Sequence, residues 1–429
     1  MLLNTVQLAL VGSLVAGAQA ATCIKRSTTA SSLSSATSLP ASTTSSSASS
    51  TTSTALGCTV TPTSGATDDT PAIQAAIKAC PSGTVVLPEG SVYTIGSQLT
   101  FTGCKGCTVQ LDGTLNVTVD FDYWNNKGEI IHVDDIDGAT LYSKSGTGLI
   151  DGNGQASWDY IVDGDTSYKR PNLFRCDGCT NFRMTGLYIR ASPQFHVITS
   201  GNSKNVYYSN ITLYSVSDSD NVAHNTDGFD IGPASYVTVE NVHVTNDDDC
   251  IVLKPGADNV QARDIYCDGG HGLSVGSLGS SHGSNDSVTN SVFERATMVN
   301  NAKATGLKLY PGGPLHGSAF VSNVTWRDIY VDGCEYGMQI QSCYSAPNAT
   351  YCAQYPSTAT LVDVVWQNVT GVTDGHYKDV VANMNCPAGG LCDIHVSGFD
   401  VVSPTGGETV LCANVPADAG ITCTSGASG

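Results

Sequence analysis

The sequence predicts an all-β protein: a right-handed single-stranded parallel β-helix with a short N-terminal capping helix. Three observations lead there. Charged residues make up 13% of the chain and glycine is abundant at 45. Short β-branched runs recur at a spacing in the low twenties of residues. The folded part is longer than the ~250–300 residues at which a single core stops growing, a limit that repeat architectures escape because each repeat packs only on its neighbours.

Composition comes first. The 429 residues carry 19 Lys+Arg against 38 Asp+Glu, a net charge of −19. The charged share is about half the roughly 25% of ordinary soluble domains. An acidic excess of this size argues against a nucleic-acid partner, since phosphate binding needs Lys/Arg neutralisation. A hydrophobic share of 41% can still bury a large core.

The chain divides into three parts. Leu8 to Val15 is a short apolar stretch and Ala18-Gln-Ala20 a small-residue cleavage site, so residues 1–20 read as a signal peptide. That run is shorter than the ~20 residues of a membrane span, and no later segment is long and apolar enough, so no membrane partner is expected. Residues 21–56 are a Ser/Thr-rich low-complexity segment, read as O-glycosylated. Residues 57–429 are left for the folded catalytic domain.

Secretion accounts for the 16 cysteines as disulfides rather than metal ligands. The expected local pairs are Cys104–Cys107, Cys176–Cys179, Cys250–Cys267, Cys343–Cys352, Cys386–Cys392 and Cys412–Cys423. The partners of Cys23 and Cys334 stay open. Six N-x-S/T acceptors fit an extracellular protein: Asn116, Asn210, Asn285, Asn323, Asn348 and Asn368.

The repeats begin at Asn181, Asn205, Tyr236, Asn259, Phe320 and Leu361, and most contain an Asn. No helix intervenes, so turns replace the helical crossover that parallel strands normally need. The competing fold is a β-sandwich of hairpins, but the Asn-Gly and Asp-Gly turns it requires are sparse. One helix is expected over Asp69 to Cys80, from an Asp/Thr cap, an early Pro and apolar spacing. It would cover the open end of the solenoid.

Acidic residues cluster in Asn225-Thr-Asp-Gly-Phe-Asp230 and Asn246-Asp-Asp-Asp-Cys250. An isolated Asp run is usually a solvated turn or a calcium loop. Here Asp248 follows Asp227 by 21 residues and His271 follows Asp249 by 22, each close to one coil. A β-helix would place them on adjacent rungs of one face, with Lys308 a further coil and an insertion away. Carboxylates beside an imidazole are the apparatus of glycosidic hydrolysis, one acid protonating the leaving oxygen and another directing water. Crowded like charges raise one member's pKa. Lys308 in so acidic a protein suits an anionic sugar.

These motifs, with Gly148-Leu-Ile-Asp-Gly-Asn-Gly154, Arg170-Pro171, Ser192-Pro193 and Gly270-His-Gly-Leu-Ser-Val-Gly276, resemble the polygalacturonase family, glycoside hydrolase family 28. The resemblance runs from Cys58 to the C-terminus. It implies a right-handed parallel β-helix that hydrolyses galacturonan backbones with inversion and without metal or cofactor, acting as a monomer. By position Asp248 resembles the general acid, and Asp227 and Asp249 the pair that activates water. His271 resembles the histidine supporting the acid, Lys308 the ligand of a substrate carboxylate, and Tyr336 the substrate-contacting tyrosine. The family's Arg-Ile-Lys stands here as Gly306-Leu-Lys308. Losing the arginine removes a planar carboxylate fork and is expected to free space for a pentose. The resemblance, read with this departure, implies the pectic polysaccharide xylogalacturonan as substrate, cut in endo fashion. Exo- or endo-polygalacturonase action on unsubstituted homogalacturonan is the alternative, and a silent wall-binding helix or a calcium-dependent lyase are more distant ones.

Overall fold

The computed structural model describes residues 58–161 and 167–429. The signal peptide, the Ser/Thr-rich segment and Cys23 lie outside the described residues. Every strand pairing named among them is parallel, which excludes the hairpin sandwich. The strands stack into two sheets, one of sixteen strands and one of twelve, whose neighbours in space are one coil apart in sequence. This is a right-handed parallel β-helix.

Five of the six repeats read from the sequence form longer strands of the sixteen-stranded sheet, Ser203–Tyr214, Ala234–Thr245, Ala257–Asp268, Ser318–Cys334 and Thr360–Thr373, while the Asn181 repeat forms the short strands Arg183–Thr185 and Tyr188–Arg190. Asn285–Val299 adds a rung the sequence reading passed over. Their asparagines mark bends. Asn205, Asn259, Asn290 and Asn323 fall in one register column, Asn210, Asn241 and Asn368 in another, and all have φ between 51° and 56°. Asn tolerates this left-handed conformation better than other non-glycine residues. Its amide also bonds along the column, as Asn323 Nδ2 does to Asn290 Oδ1 at 2.9 Å.

Inside the coil, like side chains stack. Trp326 and Trp366 lie 4.8 Å apart and nearly parallel, with Phe293 behind Trp326. Each indole N–H finds an acceptor, Trp326 at the Leu273 carbonyl and Trp366 at Thr305 Oγ1. That satisfies the polar tip of a wholly buried ring.

The capping helix runs Thr70–Ala79 with Pro71 in its first turn, burying Ile73 and Ile77. Asp69 does not cap it through its side chain; it accepts from Thr63 N and Thr94 N instead. Asp68 serves the helix start by accepting from Thr70 N at 3.0 Å. All six expected disulfides are present, together with Cys58–Cys80, which ties the helix end to the first strand. Cys334 is buried and unpaired among the described residues.

Candidate active site

The twelve-stranded sheet carries the site. Its central strands are Phe229–Ile231, Asp249–Leu253, Gly272–Leu278, Thr305–Leu309 and Met338–Gln341. One register column runs Asp230, Val252, Ser274, Gly306, Gln339. Two residues further along, Gly276, Lys308 and Gln341 form the next column on the same face. The acids sit where strands begin. Gly228 N donates to Asp249 O, and His271 N to Asp248 O at 2.8 Å, so successive rungs bring these turns together as the sequence offsets predicted.

Asp248 is the most open of the three expected catalytic acids, with 16% of its side chain exposed. Its Oδ1 lies 2.9 Å from His271 Nδ1, and its Oδ2 accepts from Asn225 Nδ2 at 3.2 Å. Burial is the largest influence and opposes its charge, but the His271 hydrogen bond and the charges of His271 and Lys308 together hold the carboxyl below its ordinary value. Asp249 is fully buried; its Oδ2 meets Lys308 Nζ at 2.5 Å and its Oδ1 accepts from Ser274 Oγ at 2.7 Å. Burial again opposes the charge, and Lys308, Lys303 and Lys254 together keep Asp249 ionised well below the carboxylate range.

Asp227 is different. It is buried beside Asp230, and Lys254 Nζ stands 3.6 Å from the first and 3.4 Å from the second. Burial, then repulsion from Asp230 and Asp248, push Asp227 well above its usual value, and Lys254 offsets only part of this. Beneath it His196 is buried between the Thr226 and Asp227 carbonyls and Ser215, and burial pulls its ring down to about 4. Three neighbouring acids therefore occupy three electrostatic situations.

Beyond His271 lies a cavity of about 260 Å³ lined by Lys303, Lys308, Glu335, Tyr336, Gln339 and Tyr344, among others. Tyr336 stacks flat on Tyr377 at 4.5 Å. Lys303 is buried; burial and then Lys308 lower its ammonium to about 8.

Among the described residues, two groups have the chemistry to hold a cation: His132 with Asp134 and Asp177, and Asp248 with Asp249 and His271. In the second, Lys308 and Ser274 already bond Asp249.

A glycoside-hydrolase site on a parallel β-helix has known counterparts. The family model for glycosyl hydrolases family 28 matches residues 80–424. The chain belongs to this family. It is 47% identical over 373 residues to endo-xylogalacturonan hydrolase A of Aspergillus tubingensis, covering 86% of this chain and 91% of that protein. The crystal structure of endo-xylogalacturonan hydrolase from the same fungus superposes with a TM-score of 0.85 at 46% identity, over 87% of this chain and all of that one. Polygalacturonase from Erwinia carotovora shares the fold, with a TM-score of 0.65 at 19% identity, over 84% of this chain and 96% of that one.

For this family 28 glycoside hydrolase, Asp227, Asp248, Asp249, His271 and Lys308 gather at one place, and Tyr336 joins Lys308 at the cavity. Gly306 requires a correction. It does not leave free space: a Cβ there would lie 2.8 Å from Lys303 Cδ and 2.6 Å from the Gln339 carbonyl oxygen. The Lys303 stem occupies the room expected for a pentose. Inverting glycosidases place their two carboxyl groups roughly 6.5–9.5 Å apart; here an oxygen of Asp248 and one of Asp249 fall within 4.8 Å.

Sequence reasoning missed Asp230, Lys254 and Lys303, although the coil offset held their signal. Lys254 follows Asp230 by 24 residues, and Lys303 bonds the carbonyl of His271, 32 residues before it. Arg170 was quoted only as part of a motif. It is hydrogen-bonded to Pro193 O, His224 O and Asn225 Oδ1, and so fixes the amide that touches Asp248.

Proposed function

We propose that the chain hydrolyses the galacturonan backbone of xylogalacturonan in endo fashion with inversion. The observation that carries the reading is an open Asp248 paired with His271 in front of a buried Asp249 paired with Lys308, beside a cavity lined by two lysines. Asp248 and His271 act as one acid: with the imidazole protonated, the pair holds a proton at the open edge, and Asp248 passes it to the glycosidic oxygen. Asp249 stays ionised behind it, and Lys308 and Ser274 leave it little freedom to attack carbon as a nucleophile. It orients water instead, and Asp227 takes up the released proton. This division of labour supports inversion despite the short gap between Asp248 and Asp249. The xylose-bearing substrate is supported by the similarity to the Aspergillus tubingensis endo-xylogalacturonan hydrolase.

Residues 1–20 would direct secretion, residues 21–56 form an O-glycosylated segment, and residues 57–429 work as a monomeric catalytic β-helix. Among the described residues no helix is long and apolar enough to cross a membrane. The test is a time course on xylogalacturonan and polygalacturonate side by side, with the first-formed anomer read by NMR. Faster cleavage of xylogalacturonan to a ladder of oligomers with inverted anomers is expected. A clear preference for the bare polymer overturns the substrate, and a retained anomer overturns the roles of the acids.

A further inference from the structure

One buried cation at the groove makes no hydrogen bond to the catalytic acids. Lys303 is 4% exposed. Its Nζ donates to the His271 carbonyl at 2.9 Å, and among the described residues no other hydrogen-bond acceptor meets it. An ammonium has three donors. Two remain unspent in a desolvated place, where an unmade bond to a charged group is most costly.

Asp249, Asp248 and Glu335 attract Lys303, but no hydrogen bond joins it to any of them. Asp249 is instead bonded by Lys308 and Ser274, and Asp248 by His271 and Asn225. Lys303 lines the 260 Å³ cavity together with Lys308. Burial and then Lys308 lower the Lys303 ammonium, and Asp249, Asp248 and Glu335 offset this only in part. The path of the side chain is equally specific. Its Cδ and Cε pass 2.8 and 3.1 Å from where a Cβ on Gly306 would stand. Lys303 thus reaches the cavity over bare backbone, and any side chain at 306 would collide with it.

We infer that Lys303 is a specificity-determining binding residue: with Lys308 it clamps one substrate carboxylate, and Gly306 is bare so that it can. The inference rests on the proposed function and deepens it. The positive charge that the family motif carries at 306 has moved three residues upstream and enters from the other side. The exchange changes the chemistry. A guanidinium is a permanently charged planar fork, whereas two lysines are separate point charges that hold a carboxylate from two directions.

The test uses the full chain and its Lys303→Met and Lys303→Gln variants. KM and kcat are measured on xylogalacturonan and polygalacturonate. Binding of trigalacturonate, and of its neutral carboxyl-reduced counterpart, is measured by calorimetry. Removing a charge-assisted bond is expected to raise KM, and the Kd for trigalacturonate, by roughly 10- to 100-fold. kcat should stay within about threefold, and binding of the neutral trimer should not change. An unchanged Kd for trigalacturonate overturns the inference. So does a fall in kcat at constant KM, which would make Lys303 a support of His271. If wild type prefers bare polygalacturonate, the substrate reading fails, while the calorimetry still decides the role of Lys303.

Discussion

The two sheets of the solenoid use charge in opposite ways. On the sixteen-stranded sheet, outward charges pair between adjacent coils: Glu240 with Arg263, Glu294 with Arg327, Asp264 with Arg295. The arginines keep 35–47% of their side chains in water. On the twelve-stranded sheet, Asp227, Asp230, Asp249, Lys303 and Lys308 are buried, and Asp227 Oδ1 and Asp230 Oδ1 meet no donor. Both faces rest on the same coil, so the scaffold does not impose the difference. One face is satisfied and nearly neutral in energy. The other holds charges away from water, where they interact strongly enough to separate acid from base.

The contrast can be broken at three points. The largest effect is expected at Asp248→Asn. A lost general acid lowers kcat by roughly 10²–10⁴-fold, with little change in melting temperature. A drop of only a few fold would mean the chemistry runs elsewhere.

Asp227→Asn comes next and should part activity from stability. The folded-state pKa of Asp227 is raised by burial and by Asp230. Its stability contribution is therefore fully present below the ordinary Asp range and lost as pH rises through the raised value. The variant should lose activity at least tenfold, yet melt about 2–4 °C higher at pH 7. Below pH ~4 the difference should vanish. A variant less stable than wild type at pH 7 would show that Asp227 is not held against its preference.

The smallest effect is expected on the other sheet. Glu240→Gln weakens a partly solvated pair with Arg263, and such pairs contribute about 0–1 kcal/mol. Activity should be unchanged and melting should move by no more than about 2–4 °C. A larger loss would remove the contrast between the faces.

How legible each face was follows from its burial. Strands of the sixteen-stranded sheet alternate buried and solvated residues, as in Val237, Val239, Val242 and Val244, so period and type were readable. The strands beneath the site are short and buried on both sides. Phe229–Ile231 and Asp249–Leu253 show no alternation, and only the spacing of the acids hinted at them. Spacing was enough to gather Asp227, Asp248, Asp249 and His271. It was applied to Lys308 but not to Lys254 or Lys303, because a lysine in sequence reads as surface until its burial is known. The same gap produced the mistaken role of Gly306. The missing side chain was visible, but the Lys303 stem filling its place comes from three residues away and depends on the coil's turn.

The disulfides carry a consequence for biogenesis. The partners in all seven bridges are separated by 3 to 22 residues, about one coil or less. None waits for a distant segment. A chain emerging N-terminus first can close each bridge within the coil just delivered, and the next coil then templates on a finished edge. Oxidation and winding can proceed together, one rung at a time, with little opportunity for scrambled pairing.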